Sequence, residues 1–205
     1  MHALLVTLWL SLPLAPYNPI EQDTLPSISA HFTAGLTSPN GIVSLGPELS
    51  SKFEMLVVHP FLVRGALDLN YGKTVSALYP QGDLYSLTMA GDALYYRGTN
   101  HLMGYVGIGF VYTFYHFSAS RASMDSLFAE ERVVDVDVDK ALGYRLTLGL
   151  RMHRSYSLEL GITEIRPEFL LQADEGNGTI SRWRKSTRTS SFRLTFGYLL
   201  PLRKF

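Results

Sequence analysis

Midway along the chain stand three residues of the types a hydrolytic centre uses: His116, Ser118 two positions later, and Glu130 beyond them. An imidazole can take a serine hydroxyl proton and a carboxylate can orient the imidazole, and in an extended strand His116 and Ser118 share a face. These residue types are common, so the plainer reading is a histidine beside a loop serine. A second group is dispersed: Glu48, Lys52, Arg64, Asp68, Arg145, Arg151, Glu159 and Arg193 each fall on the polar side of an alternating run. Charges gathered on one side of a sheet must find partners or water. A third is the ladder Val134-Asp135-Val136-Asp137-Val138-Asp139, whose carboxylates suit calcium in type. Spaced along a strand, they do not converge, so no metal site is assigned and a solvated hairpin is expected. The last is Arg182, Arg184, Lys185 and Arg188 around Trp183, where guanidinium groups could pair with phosphates.

The elements that must position these residues are legible as period-two alternation, which sends successive side chains to opposite faces of a strand. Phe192, Leu194, Phe196, Tyr198, Leu200 and Leu202 oppose Arg193, Thr195 and Gly197. Leu142, Tyr144, Leu146, Leu148, Leu150 and Met152 oppose Gly143, Arg145, Thr147, Gly149 and Arg151. The same rule holds for residues 105–114, for Phe61, Val63, Leu67, Leu69 and Tyr71 against Arg64, Asp68 and Asn70, and for Val43, Leu45, Leu49 and Phe53 against Glu48, Lys52 and Glu54. Weaker runs at 28–36, 85–95 and 156–162 bring the count to eight, an even number that suits a closed meander.

Which face looks outward separates a soluble barrel from a membrane one. The apolar faces extend over about eleven residues, near the 9–11 that a tilted strand needs to cross hydrocarbon. The clearest runs carry no charge on the apolar parity, and their opposite face is rich in Gly, Ser and Thr. The expectation is an all-β, eight-stranded antiparallel up-and-down transmembrane barrel, with short periplasmic turns near 56–60 and 152–155 and longer extracellular connections at 72–82, 118–139 and 166–187. A soluble barrel holding a lipophile inside is the opposed reading.

The alternating last strand ending in Phe205, the run Gly104-Tyr105-Val106-Gly107-Ile108-Gly109-Phe110, and Gly143-Tyr144-Arg145 with the segment from Tyr156 to Gly161 resemble the small bacterial outer-membrane β-barrel superfamily. The likeness covers about residues 27–205 and implies the barrel fold and handling of the C-terminal strand by a barrel-assembly machinery. His116, Ser118 and Glu130 also resemble the His-x-Ser…Glu arrangement of outer-membrane lipid A deacylases, which implies base, nucleophile and orienting acid in that order.

At eight strands the lumen is just wide enough for side chains, so the eight lumen charges are expected to form a polar plug. The leading functional expectation is a non-enzymatic envelope protein, structural or surface-binding through its extracellular loops. The alternatives are a lipid A deacylase-like hydrolase and a narrow pore for small solutes. Expected partners are outer-membrane lipid and lipopolysaccharide, whose phosphates Arg182, Arg184, Lys185 and Arg188 would contact. A monomer without cofactor is expected.

The balance of 18 basic and 18 acidic residues gives no field to steer the chain onto nucleic acid. The absence of cysteine excludes disulfides, thiolate metal sites and a cysteine nucleophile. Residues 4–14 (LLVTLWLSLPL) form the one long apolar run, too short for the roughly 20 residues of a membrane-spanning helix. Residues 1–15 therefore match a secretory signal, 16–26 a proline-rich periplasmic lead-in, and 27–205 the barrel. That assignment places the protein in the bacterial outer membrane.

Overall fold

The computed structural model describes residues 28–39, 44–73, 81–99, 101–119, 132–153, 155–174, 179–186 and 188–203. The expected signal, the lead-in and Glu130 lie outside these residues. Eight strands close a barrel in the order β1-β11-β8-β7-β5-β4-β3-β2: β1 (Ile28–Pro39), β2 (Gly46–Val58), β3 (Phe61–Lys73), β4 (Gly82–Gly98), β5 (Leu102–Ala119), β7 (Ala141–Met152), β8 (Tyr156–Ile165) and β11 (Thr189–Arg203). Every neighbouring pair is antiparallel, and β1 closes on β11 through a register that pairs Phe32 with Tyr198 and Leu36 with Leu194. Closure leaves the barrel wall without an unpaired edge. Each expected run falls in a barrel strand, except that the one begun at Val43 enters β2 only at Gly46, with Val43 outside the described residues.

The apolar parity faces outward. Phe110 is 75% exposed, Leu142 70% and Ile108 61%, while their strand neighbours on the other parity, Val111, Arg145 and Tyr105, are buried. An apolar belt of this extent has hydrocarbon as its solvent. Aromatic rings border it at both ends: Tyr71, Tyr85 and His116 near the long-connection end, with ring centres 5.1 and 6.3 Å apart, and the pairs Phe61–Tyr95 and Tyr156–Tyr198, each at 5.6 Å, near the short-turn end. Such rings suit the two membrane–water interfaces.

The short turns lie between β2 and β3, β4 and β5, and β7 and β8. The structure ends β4 at Gly98, whose φ of +142° favours glycine, and a Cβ there would sit 2.4 Å from the Leu102 carbonyl oxygen.

The long connections depart from the expectation of polar loops. Residues in 118–139 and 166–187 form β6 (Arg132–Val138), β9 (Glu168–Asp174) and β10 (Ile180–Ser186), which pair as a separate three-stranded sheet in the order β10-β9-β6. The acidic ladder is therefore not a hairpin of its own, because β6 pairs with β9 from the other connection, with Asp137 opposite Leu170. Strand β5 also runs through to Ala119, so Ser118 belongs to a strand and not to a loop. Val138 and Phe169 are buried and pack on Leu84, Tyr115 and Phe117 at the outer ends of β4 and β5. This contact lays the small sheet over the barrel mouth. Val138 of β6 thus meets barrel-strand side chains and not lipid.

Candidate functional site

The interior is a stack of layers. At the short-turn end Leu62, Leu94, Tyr96, Met103 and Tyr105 form a buried apolar cluster, joined by Leu56. Tyr105 crosses toward β7, where Gly149 receives it: a Cβ at Gly149 would lie 2.1 Å from the Tyr105 ring. Glycine on the inner face of a narrow barrel is thus the counterpart of a large side chain from a neighbouring strand.

Above this seal the barrel buries five carboxylates, Glu48, Glu54, Asp68, Asp92 and Glu159, and five cations, Lys52, Arg64, Arg145, Arg151 and Arg193, together with His31. Glu159 is the hub. It accepts hydrogen bonds from Lys52, from Arg64 Nη1 at 2.6 Å and from the Tyr105 hydroxyl. Arg64 also donates from Nε to Asp92 at 2.8 Å, and Asp92 accepts a two-point contact from Arg145. Arg145 reaches Asp68 at 2.7 Å, and Asp68 accepts from Ser50 and lies 3.3 Å from Arg193, which is 3.4 Å from Glu48. Nearer the seal Arg151 pairs with Glu54 and lies 5.1 Å from the centre of the Tyr105 ring. His31, fully buried on β1, bonds through Nε2 with Ser157 Oγ, and its Nδ1 faces Glu54 and Glu159 at 3.8 and 3.9 Å.

Isolated charges are too costly to bury in such a place, but opposite charges in equal number offset one another. The geometry stitches seven of the eight barrel strands, β1 to β4, β7, β8 and β11, by side chains meeting across the lumen, and β5 joins through Tyr105. What it does chemically is fill space with a fixed, charge-neutral plug. Its carboxylates are held by guanidinium and ammonium groups, which leaves no convergent acid–base pair presented to an entering molecule.

Above the plug lies a cavity of about 80 Å³, with Glu48, Asp68 and Arg193 at its floor, Thr88 and Thr113 in its wall and Val138 and Phe169 as its roof. That volume holds a few water molecules.

All eight charges expected in the lumen project into this interior. Seven further members went unassigned in the sequence: His31, Ser50, Glu54, Asp92, Tyr105, Thr147 and Ser157. Glu54 was visible on the polar parity of β2. His31, Asp92 and Ser157 stand in the three weak runs, where the same parity rule would have found them.

The hydrolytic trio is not assembled. His116 and Ser118 are exposed on the outward face at the outer end of β5, and Glu130 is outside the described residues. The basic group does not form one cluster either. Arg182 and Arg184 are exposed on one face of β10, whereas Arg188 lies at the barrel rim and donates to Glu164, which also accepts from the Tyr144 hydroxyl. Lys185 pairs with Phe169 in register. Among the described residues, no group of three or more His, Asp or Glu side chains could hold a metal ion.

No protein-family model matches the chain, and no curated protein sequence matches it. Solved structures do. The outer membrane protein OprG from Pseudomonas aeruginosa aligns at 13% identity over 84% of this chain and 94% of that one, with a TM-score of 0.56. Neisserial surface protein A aligns at 14% identity over 87% and 97%, with a TM-score of 0.53. The outer membrane enzyme PagL aligns at 11% identity over 84% and 99%, with a TM-score of 0.50. At these identities the likeness concerns the fold, and one fold carries a surface protein and an enzyme alike. With its closed eight-stranded antiparallel wall, outward apolar belt and two aromatic borders, the chain has the transmembrane β-barrel fold that these small outer-membrane proteins share.

Proposed function

We propose that this protein is a non-conducting, non-enzymatic component of the bacterial outer membrane that acts as a rigid holder for an outer binding sheet. The observation that carries the proposal is the neutral network of ten buried charges, closed below by the cluster around Tyr105 and Leu94. No continuous water path is compatible with side chains packed and paired across the lumen at this density. The small sheet over the mouth places Arg182 and Arg184 on one exposed face, two residues apart on β10. Guanidinium groups at that spacing suit phosphate-bearing lipopolysaccharide of the outer leaflet, the partner expected from the sequence. In this reading the N-terminal segment directs secretion, a barrel-assembly machinery inserts the chain, and the protein works as a monomer.

The test is conductance of the purified full chain in a planar lipid bilayer, paired with binding of lipopolysaccharide before and after removal of its phosphates. Silent bilayers and phosphate-dependent binding support the proposal. Stable unitary currents would instead establish the pore.

One observation favours a second reading. On the outer wall, Leu49, Leu69, Tyr85, Leu87 and Phe114 line an apolar groove that reaches His116. An acyl chain lying there would bring its carbonyl end toward the His116 and Ser118 face. The lipid A composition of cells expressing the wild type and the His116→Ala variant tests it: loss of a whole acyl chain that requires His116 would make the protein a hydrolase.

A further inference from the structure

Three of the short turns described by the structure carry a histidine: His59 between β2 and β3, His101 between β4 and β5, and His153 between β7 and β8. Strands β5 and β7 are neighbours, with Leu102 paired to Met152, so the second and third turns lie side by side at the periplasmic end. The His101 and His153 rings are 5.8 Å apart at an interplanar angle of 76°, and both residues are exposed. The His153 amide donates to the His101 carbonyl at 3.0 Å, which ties the two turns together under the rings.

His153 also has a φ of +50°, and among the described residues no other non-glycine residue has a positive φ. The left-handed conformation costs an L-residue roughly 1–2 kcal/mol, and histidine is, with asparagine and aspartate, among the non-glycine residues that take it most often. Nothing in the plug or the outer sheet uses His153. Strained positions of this kind mark sites where the side chain matters.

The spacing fits a shared metal ion. Two imidazoles on one tetrahedral zinc, with Zn–N of about 2.0–2.1 Å, hold their ring centres roughly 5 Å apart. The pair needs to close by less than about 1 Å from its present position to reach that geometry. Imidazole is a ligand of Zn²⁺, Cu²⁺ and Ni²⁺, and exposure leaves the remaining coordination positions to water.

We infer that His101 and His153 form a two-histidine site for a borderline divalent transition-metal ion on the periplasmic face, independent of the lumen plug and of the outer sheet. Protons and a metal ion compete for the same imidazole nitrogens, so the affinity falls as the pH is lowered. A bound ion also bridges the β4–β5 turn to the β7–β8 turn and raises resistance to unfolding with metal concentration.

The experiment uses the full chain without an affinity tag, folded in detergent micelles and checked by gel mobility with and without boiling. Zn²⁺ is titrated calorimetrically at pH 7.5 and 5.5, and Ni²⁺ broadening of histidine ring resonances is followed by NMR. The expected result is one site per chain that weakens at the lower pH. Loss of an outer-shell partner already costs a site at least about tenfold in affinity, so His101→Ala and His153→Asn are each expected to lose at least that much. Asparagine is chosen at 153 because it keeps the left-handed turn. His59→Ala is expected to bind as the wild type does. Absence of Zn²⁺ binding, binding that survives the double variant, or equal loss in His59→Ala would each overturn the assignment.

Discussion

The barrel wall and the small outer sheet are both antiparallel β-structure, yet they are held together in opposite ways. The wall turns its apolar side chains outward to lipid and keeps its charges inside, where ten of them pair across the lumen. The outer sheet does the reverse: Val138 and Phe169 are buried beneath it, and Arg182, Arg184 and Asp137 are exposed on it. The inversion follows from the solvent. Hydrocarbon accepts Phe110 and Leu142 without cost and rejects ions, while water above the membrane does the opposite. One chain therefore carries two folding rules, separated by the outer aromatic border.

The largest test of that contrast lies at the hub of the plug. Glu159→Gln leaves Lys52 and Arg64 without their shared carboxylate in a dry interior, and the loss should be about 3–5 kcal/mol. Urea titration of the barrel in lipid vesicles measures it. A loss under 1 kcal/mol would show that water fills the lumen and that the plug is not dry.

Moving a charge to the other face of the wall comes next. Ile108→Arg puts a guanidinium on the lipid side near the middle of β5 and should cost about 2–4 kcal/mol in the same titration. If the variant is as stable as the wild type and stays in solution without detergent, the apolar belt is not in contact with lipid.

Gly149→Ala asks how tightly the inner seal is packed. The added methyl would fall 2.1 Å from the Tyr105 ring, so the ring must move and about 1–3 kcal/mol should be lost. The change should also weaken the Tyr105 contact to Glu159, which heat-modifiable gel mobility would report as a lower transition temperature.

The outer sheet should respond separately from the wall. Phe169→Ala removes the roof contact with Leu84, Tyr115 and Phe117, and the expected effect is local opening with unchanged barrel unfolding. Limited proteolysis of folded protein in vesicles should then cut faster within β6, β9 and β10 while the eight barrel strands stay protected. A fall in barrel stability parallel to the proteolysis would make the sheet part of the barrel's own folding unit.

The smallest effect is expected from Arg182→Gln with Arg184→Gln. Exposed and away from the roof contact, these changes should leave stability within about 0.5 kcal/mol. Lipopolysaccharide binding should weaken all the same. Equal binding by wild type and variant would move the binding surface elsewhere.

The sequence determined by itself the parity of the wall, and with it the strand count, the inward direction of Arg64, Asp68, Arg145 and Glu159, and the outward belt. A period of two has only two phases, and a single charge on the lipid phase is costly enough that the pattern is kept strictly. It did not determine which charge meets which. Lys52 and Glu159 are 107 positions apart and meet only because closure brings β2 and β8 to opposite sides of a lumen one side chain wide. His31 looked like one polar residue in a weak run, and only the closed barrel shows it against Ser157, Glu54 and Glu159.

The outer sheet lay further beyond reach. Its strands β6 and β9 come from two different connections, so no local pattern announces that they pair. For the same reason the basic residues near the C-terminus looked like one cluster, until the fold took Arg188 to Glu164 on the barrel rim and left Arg182 and Arg184 on the sheet. Local alternation is written in neighbouring residues because each side chain meets its solvent alone. Pairing across a lumen or between loops is decided only once distant segments are brought together, and that is the work of the closed tertiary structure.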